Sequence, residues 1–272
     1  MIPAAFEYVR ADSVDAALAA LTEHGDEAKL LAGGMSLIPL MKLRLATPTV
    51  VVDVARLRDL SYIRDAGDHL AIGALTRHRD LETSDLLGTE CAALRGVAAE
   101  VGDNQVRHRG TLGGSVAHGD PASDLPAALL ALDATFVVVG PGGERTIAAG
   151  DFFEGFLETA LAPDELLTEI RVPKGTAGWN YQKFNRRAQD WAIVGALAVR
   201  NGSTRVALVN MGGTPLRATA VEQALASGAS VADAAALAAE GTEAPADLNG
   251  SSEYREHLAR VLVRRALEAA GA

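Results

Sequence analysis

The chain has 272 residues, of which 49% are hydrophobic, and its formal net charge at pH 7 is −10. This length is enough for one large domain or two modest ones, each with its own core. The negative charge and the scattered arginines disfavour a nucleic-acid-binding protein. No apolar stretch approaches the roughly 20 residues that span a bilayer, and the amino terminus lacks the segments of a signal peptide. We therefore expect a cytoplasmic protein.

Cysteine and histidine usage restricts the chemistry that this chain can carry. Cys91 is the only cysteine, so no disulfide, cysteine-ligated iron–sulfur cluster or four-cysteine zinc site can form within the chain. The six histidines show no HExxH or similar metal-binding spacing. No GxSxG motif or other nucleophile–base arrangement is recognisable. Any catalytic chemistry is therefore expected to come from a cofactor.

In the amino-terminal half, the hydrophobic patterns predict a small β-α-β unit followed by mixed helices and strands. An amphipathic helix begins at Asp12-Ser13 and ends at Gly25. The predicted strands cover 29–32, 49–54, 70–75, 135–139, 145–148 and 166–172. Further helices are predicted at 36–43, at 91–101 and from Ser123 to Leu132. This order is α+β and not a regular β-α alternation.

The carboxy-terminal part is predicted to be a three-stranded meander followed by helices. Residues 174–178 have the composition of a linker. The predicted strands are 181–185, 193–199 and 206–211, and the predicted helices are 214–227, 230–240 and 252–270. Residues 241–250 form an irregular polar connection.

Two glycine-rich segments stand out, Ala32-Gly33-Gly34-Met35-Ser36 and Thr111-Leu112-Gly113-Gly114-Ser115. Glycine has no Cβ and can adopt positive φ, so consecutive amides can converge on an anion at short range. Neither segment is a GxGxxG fingerprint or a GxxxxGK(S/T) loop. A single glycine doublet is most often a plain turn, whereas two such loops favour a diphosphate gripped from two sides.

Four blocks of this sequence resemble a known family, the FAD-binding medium subunits of molybdenum hydroxylases. This family is typified by aerobic carbon monoxide dehydrogenase and by the flavin domain of xanthine dehydrogenase. The blocks are 32–41, 105–115, 120–126 and 181–194, and they occur in the order and at the spacing of the family. The resemblance covers essentially the whole chain.

The resemblance implies an α+β fold with two domains. Residues 1–175 would form a vanillyl-alcohol-oxidase or PCMH-type FAD-binding domain, with subdomains at about 1–55 and 56–175. Residues 178–272 would form the carboxy-terminal domain of the carbon monoxide dehydrogenase flavoprotein type, a small three-stranded antiparallel sheet with a helical bundle.

The resemblance also implies roles for particular residues. Residues 32–36 and 111–115 would clamp the FAD pyrophosphate, largely through backbone amides. Asp124 resembles the residue that reaches the adenosine ribose, with helix capping as the alternative. Lys183 resembles a lysine near the flavin ring, where a positive charge favours anionic reduced flavin. The alternative for Lys183 is a solvated strand lysine.

Two further residues carry weaker expectations. Trp191 stands where a tyrosine commonly lies against the isoalloxazine, and an ordinary core or interface tryptophan is the alternative. Leu167 resembles an apolar residue near the flavin or adenine, although a core position is the stronger interpretation. The sequence departs from the family pattern at Met35, where histidine is frequent, and at His108 and Ser115, where asparagine is frequent. A hydroxyl at Ser115 can replace the lost amide donor.

The leading functional hypothesis is an electron-transfer subunit with FAD as its cofactor. FAD would accept electrons from [2Fe-2S] clusters in a small partner subunit and pass them to a quinone, NAD or oxygen. A large molybdopterin-binding subunit would oxidise the substrate, and the complex would be a heterotrimer or its dimer. The alternatives are a stand-alone FAD-dependent oxidase or dehydrogenase of the same fold and a flavin-free scaffold. The substrate and the final acceptor stay open.

Overall fold

The amino-terminal unit is a parallel three-stranded sheet with one helix packed on it. The computed structural model describes residues 1–175 and 178–272. The unit comprises β1 (Glu7–Arg10), α1 (Val14–His24), β2 (Ala28–Leu31), α2 (Leu37–Leu43) and β3 (Val50–Asp53). The strands lie in the order β1-β3-β2, and both pairs are parallel. The predicted β-α-β unit is confirmed, and β1 adds an edge strand that is mostly exposed and was not predicted.

The second unit is an antiparallel sheet covered by short helices. Its strands lie in the order β4-β5-β10-β6-β7. Its elements are β4 (Ile63–Asp65), β5 (His69–Gly73), α3 (His78–Thr83), α4 (Asp85–Glu90), α5 (Ala92–Ala99), α6 (Asn104–Arg109), α7 (Leu112–His118), α8 (Asp124–Ala131), β6 (Thr135–Gly140), β7 (Gly143–Ala148), β8 (Phe153–Gly155), β9 (Glu158–Thr159) and β10 (Leu166–Pro173). The predicted strands of this unit are confirmed, whereas three six-residue helices, α3, α4 and α6, were not predicted.

The second glycine doublet is helical and does not form a loop. Gly113 and Gly114 lie in the first turn of α7, and Thr111 is its N-cap residue. The Thr111 Oγ1 accepts a hydrogen bond of 3.1 Å from the amide of Gly114. A capped first turn needs helical φ and ψ, so this doublet has no positive φ. The expectation of two loops is therefore wrong for this segment.

The carboxy-terminal unit has a four-stranded antiparallel sheet and three helices. Its elements are β11 (Gly178–Phe184), β12 (Val194–Asn201), β13 (Ser203–Val209), β14 (Leu216–Arg217), α9 (Thr219–Ala226), α10 (Val231–Ala236) and α11 (Ser252–Ala270). The three predicted strands are confirmed, and the two-residue β14 is an addition that pairs with β13. The predicted linker 174–178 includes residues 176 and 177, which lie outside the described residues.

The carboxy-terminal sheet is buried on both faces, which joins it to the second unit. Along a strand, alternate side chains point to opposite faces. Leu197 and Val199 of β12 accordingly belong to the core that contains α5 and α8. Ala196 and Ala198 belong to the core formed with α9, α10 and α11. The helical bundle therefore lies on the far side of this sheet from the second unit.

The described residues include neither a membrane-spanning helix nor a cluster of potential metal ligands. Within residues 1–175 and 178–272, no helix is long and apolar enough to cross a membrane. The same residues contain no group of three or more His, Cys, Asp or Glu side chains placed to hold a metal ion. Cys91 is fully buried between α4 and α5, and burial raises the pKa of its thiol to about 11.

Substitution of Gly96 tests the packing between the second and carboxy-terminal units. A Cβ at this position of α5 would overlap the indole of Trp179 from β11. Alanine is otherwise preferred in a helix, so only this overlap opposes it. We expect Gly96→Ala to lower the free energy of unfolding in urea by about 1–2 kcal/mol. Gly150→Ala, where an added Cβ meets no atom within 4 Å, is the control. Equal losses in both variants would contradict the prediction.

Candidate cofactor site

A cavity of about 660 Å³ lies where the three units meet. Ligand sites of this kind commonly have volumes of about 300–1,000 Å³. The predicted site residues that line it are Ala32, Gly33, Gly34, Met35, Ser36, Thr111, Gly113, Gly114, Ser115, Asp124, Leu167, Lys183 and Trp191. Leu112 is the predicted site residue that does not line it, because its side chain is fully buried in the core. The fold therefore brings together residues that are far apart in the sequence.

The first glycine segment offers free backbone donors to this cavity. It leaves the end of β2, and Gly34 has a φ of 78°, which favours glycine. Its carbonyls are used locally, since Gly34 O accepts from the amide of Ile38 and Ser36 O from the amide of Leu40. Within residues 1–175 and 178–272, the amides of Gly33, Gly34, Met35 and Ser36 donate to no protein acceptor. Four successive free amides are the kind of donor set that can bind an anion.

The second glycine segment uses its amides inside the protein. The amides of Leu112 and Gly113 donate to the carbonyls of Thr76 and Ala74 at 2.9 and 2.8 Å. The amide of Ser115 donates to Thr111 O at 3.0 Å. A Cβ at Gly113 would lie 2.5 Å from the Cβ of Ala74, so glycine allows α7 to pack directly on residue 74. This differs from the expectation that both segments offer free amides.

Gly33 has a packing role of its own. A Cβ at this position would overlap the carbonyl oxygen of Arg109 and lie 2.9 Å from the Cα of Gly110. The first loop therefore rests against the chain that leads into α7. The two glycine segments are neighbours, as expected, but they contribute different chemistry. The first segment supplies free amides. The second segment supplies closely packed backbone at the cavity surface, together with the hydroxyl-bearing residue Ser115.

Asp124 and Lys183 form a buried ion pair between the second and carboxy-terminal units. The Nζ of Lys183 lies 2.8 Å from the Oδ2 of Asp124, and their side chains are 6% and 7% exposed. The same Nζ donates to Glu100 O at 2.8 Å. A solvated strand lysine is therefore the wrong interpretation of Lys183. Asp124 does not cap α8. The N-cap residue of α8 is Ser123, and no side chain makes a capping hydrogen bond at this end of the helix.

Tyr181 completes this pair and was missed from the sequence. Its hydroxyl donates to the Oδ1 of Asp124 at 2.5 Å. Residues 181 and 183 alternate along β11, so the period of two places both on one face of the strand. That spacing is the signal that identifies Tyr181. Burial raises the pKa of Asp124, with Lys183 opposing the shift, and burial also raises the pKa of Tyr181.

The contact between Asp124 and Lys183 bears on the roles that the resemblance implies. Their side-chain atoms lie 2.8 Å apart, so both residues line the cavity at the same place. Their separate assignments to the adenosine ribose and to the flavin ring stay predictions.

Trp191 lies at the edge of the cavity and is 56% exposed. This exposure contradicts the core alternative, whereas the interface alternative stays a prediction. The backbone that follows Trp191 is held in place, because Ala192 O accepts from Asn210 Nδ2 and Ile193 O accepts from Arg255 Nη1. The exposed indole provides a flat apolar surface.

Leu167 combines the two interpretations that the sequence left open. It lies in the main core and also lines the cavity. Of the residues that depart from the family pattern, Met35 and Ser115 line the cavity. His108 is exposed on α6, where its Nδ1 lies 2.7 Å from Asn104 O. Further polar residues that line the cavity were missed as site residues, among them Lys29, His78, His118, Glu165 and Gln189.

These features fit a cofactor that contains a diphosphate. The free amides of residues 33–36 match an anionic group, and the cavity continues from them to Lys183 and the indole of Trp191. The groups that line the cavity include backbone N–H groups, the ammonium groups of Lys29 and Lys183, and a flat aromatic surface. Such a set can bind an extended dinucleotide that carries a ring system.

Removal of Lys183 tests the buried pair through its pH dependence. Lys183→Met leaves Asp124 buried without its cation, a change that costs about 3–5 kcal/mol. It also raises the pKa of Asp124 further above the value in the unfolded chain. A carboxyl with a raised folded pKa loses stability as pH rises, because the folded protein must release its bound proton. In urea denaturation, we expect a larger stability deficit at pH 8 than at pH 5.

The double variant Asp124→Asn with Lys183→Met is the control for this experiment. It removes both charges, so its deficit relative to the wild type should be smaller than that of Lys183→Met at pH 8. The pH dependence attributed to Asp124 should also disappear. The same deficit at both pH values in Lys183→Met would contradict the prediction.

Comparisons with known proteins show the family to which both parts of the chain are similar. The family described as FAD binding domain in molybdopterin dehydrogenase matches residues 4–175. The family described as CO dehydrogenase flavoprotein C-terminal domain matches residues 179–270. The α+β fold is confirmed by the structure and by these matches.

The similarity to individual relatives extends over the whole length of this chain. The carbon monoxide dehydrogenase medium chain of Hydrogenophaga pseudoflava is 42% identical, with 100% of this chain and 99% of the relative covered. The corresponding chain of Afipia carboxidovorans is 40% identical, with 100% and 99% covered. A solved structure of the Hydrogenophaga pseudoflava carbon monoxide dehydrogenase, which lacks the Mo-pyranopterin moiety, matches with a TM-score of 0.96 and 43% identity, covering 100% of this chain and 99% of that one. The chain therefore belongs to the FAD-binding medium subunits of the molybdenum hydroxylases, a family of oxidoreductase subunits with FAD as their cofactor.

Proposed function

We propose that this chain is the electron-relay subunit of a molybdenum hydroxylase complex. A small partner subunit with [2Fe-2S] clusters would deliver electrons to FAD, and a quinone, NAD or oxygen would accept them. A large molybdopterin-binding subunit would oxidise the substrate, in a heterotrimer or its dimer. Support comes from the similarity to medium chains along the full length of this chain. When bound, FAD supplies two-electron uptake and single-electron release.

The observation that carries the cofactor assignment is the set of free amides in the first glycine loop. We propose that the amides of Gly33, Gly34, Met35 and Ser36 bind the FAD diphosphate. The hydroxyl of Ser115 faces the same cavity and offers a further donor. Thr111 is occupied as the cap of α7, so its contribution to binding is structural.

Asp124, Lys183 and Trp191 are proposed to surround the flavin end of the cofactor. The hydrogen bond from Arg187 is the main cause that lowers the pKa of Asp190, the residue before Trp191, and the charge of Lys183 contributes to the same shift. Because Asp124 neutralises Lys183, the pair presents little net charge to the ring. We therefore propose that Lys183 acts mainly as a directed hydrogen-bond donor, and less as a free positive charge. The indole of Trp191 would stack on the flavin.

We also propose a division of the chain into two domains, 1–175 and 178–272, with subdomains that meet near residue 55. The three-stranded parallel sheet ends at Asp53, and the five-stranded sheet begins at Ile63. The two family matches, 4–175 and 179–270, support a boundary near the start of β11.

Substitution of Gly33 tests the cofactor assignment. Gly33→Ala places a methyl group against the carbonyl of Arg109, so the free amides move relative to the cavity. We expect the Kd for FAD, measured by flavin fluorescence, to rise by about tenfold or more. Gly142→Ala in the β6–β7 turn, where an added Cβ meets no atom within 4 Å, should leave the Kd unchanged. Wild-type affinity in Gly33→Ala would overturn the assignment of this loop.

Purification from the native host tests the electron-relay function. We expect the tagged chain to co-purify with one larger and one smaller subunit. The complex should contain molybdenum and iron by metal analysis and should show a flavin spectrum that bleaches when substrate is added. Recovery of the chain without partners, with a flavin that is reduced directly by a substrate, would instead support a stand-alone dehydrogenase.

A further inference from the structure

His78 is a buried histidine in the wall of the cofactor cavity. It is the first residue of α3 and is 4% exposed. Its amide donates to Gly110 O at 3.0 Å. A Cβ at Gly110 would lie 2.6 Å from the Nε2 of His78, so this edge of the ring lies against Gly110. Gly33 packs on the same glycine, and His78 and Gly33 both line the cavity.

The two nitrogens of His78 have different surroundings. Nδ1 is buried and has no hydrogen-bond partner among the described residues. The Arg107 guanidinium makes four hydrogen bonds, to Glu82, Asn104 and two backbone carbonyls. The guanidinium of Arg77 donates to Arg109 O. Among the described residues, neither arginine donates a hydrogen bond to Nδ1 of the ring.

These surroundings select one form of the imidazole. Burial, together with the charges of Arg77 and Arg107, lowers the pKa of His78 to about 4, so the ring is neutral near pH 7 and carries a single N–H. A buried N–H without an acceptor is rarer and more costly than an unpaired acceptor. The proton therefore belongs on Nε2, at the edge of the ring that lies against Gly110.

We propose that His78 is a further cofactor-binding residue, whose Nε2–H donates a hydrogen bond to a diphosphate oxygen of bound FAD. The inference rests on the proposed binding of the diphosphate at the first glycine loop. Glycine is needed at position 110 because an added Cβ would collide with the Cδ2–Nε2 edge of the imidazole and displace the ring. A neutral donor adds a directional hydrogen bond to those from the free amides of residues 33–36, without adding a charge.

The test compares His78→Phe, which keeps a ring but has no donor, with His78→Gln, which keeps an N–H near the position of Nε2. Titration of the apo-protein with FAD should give a Kd about 10 to 100 times higher for His78→Phe. His78→Gln should recover most of this loss. His108→Phe and His108→Gln on neighbouring α6 are matched controls, because His108 lies outside the cavity, and both should bind FAD as the wild type does.

A spectroscopic readout separates a hydrogen bond from a change of cavity shape. At saturating FAD, one of the two diphosphate ³¹P resonances should move in His78→Phe and return towards its wild-type position in His78→Gln. Melting of the apo-variants reports their folding. A wild-type Kd in His78→Phe, or unchanged ³¹P resonances in that variant, would overturn the proposal.

A measurement on the wild-type protein needs no substitution. The imidazole ¹⁵N spectrum of FAD-loaded protein should show His78 as the neutral tautomer with its proton on Nε2. A proton on Nδ1 would overturn the proposal even if the variants did not fold. Failure of the wild-type protein to bind FAD would instead overturn the proposed function, so the two failures are distinct.

Discussion

Backbone contact between the first glycine loop and residues 109–110 is the constraint on which the cofactor cavity depends. Only glycine at position 33 lets the two chains meet at this distance. The contact joins the parallel sheet to the antiparallel unit. The contact is a van der Waals contact and involves no hydrogen bond from the amides of residues 33–36. These N–H groups therefore remain available to an anion. The same packing places Gly110 and His78 beside them.

The carboxy-terminal unit closes the cavity through a buried charge pair. Lys183 reaches from β11 to Asp124 at the start of α8, and Tyr181 and the carbonyl of Glu100 satisfy the remaining polar atoms. Burying two charges is costly unless they are paired and hydrogen-bonded, as they are here. The arrangement favours one position of the sheet relative to α8. It also carries the segment with Trp191 to the edge of the cavity.

The accuracy of the sequence-based expectations followed the length and periodicity of each element. Helices α1 and α11 have serine caps and continuous apolar faces, and both were predicted near their observed bounds. The six-residue helices α3, α4 and α6 were missed, because helices this short are stabilised by tertiary packing and carry little periodic signal. Strand β1 was missed because it is short and mostly exposed. The residues of the glycine segments were found from local composition, whereas their separate roles were not.

The sequence by itself determined the class of the fold, the family resemblance and part of the cavity lining, because glycine doublets and buried strands are local features. The tertiary structure decided which amides remain free, since the acceptors for Leu112 and Gly113 lie on a different segment. It also paired Asp124 with Lys183 across 59 positions. Hydrogen bonds depend on where atoms meet in space, and no local spacing encodes a partner so distant along the chain.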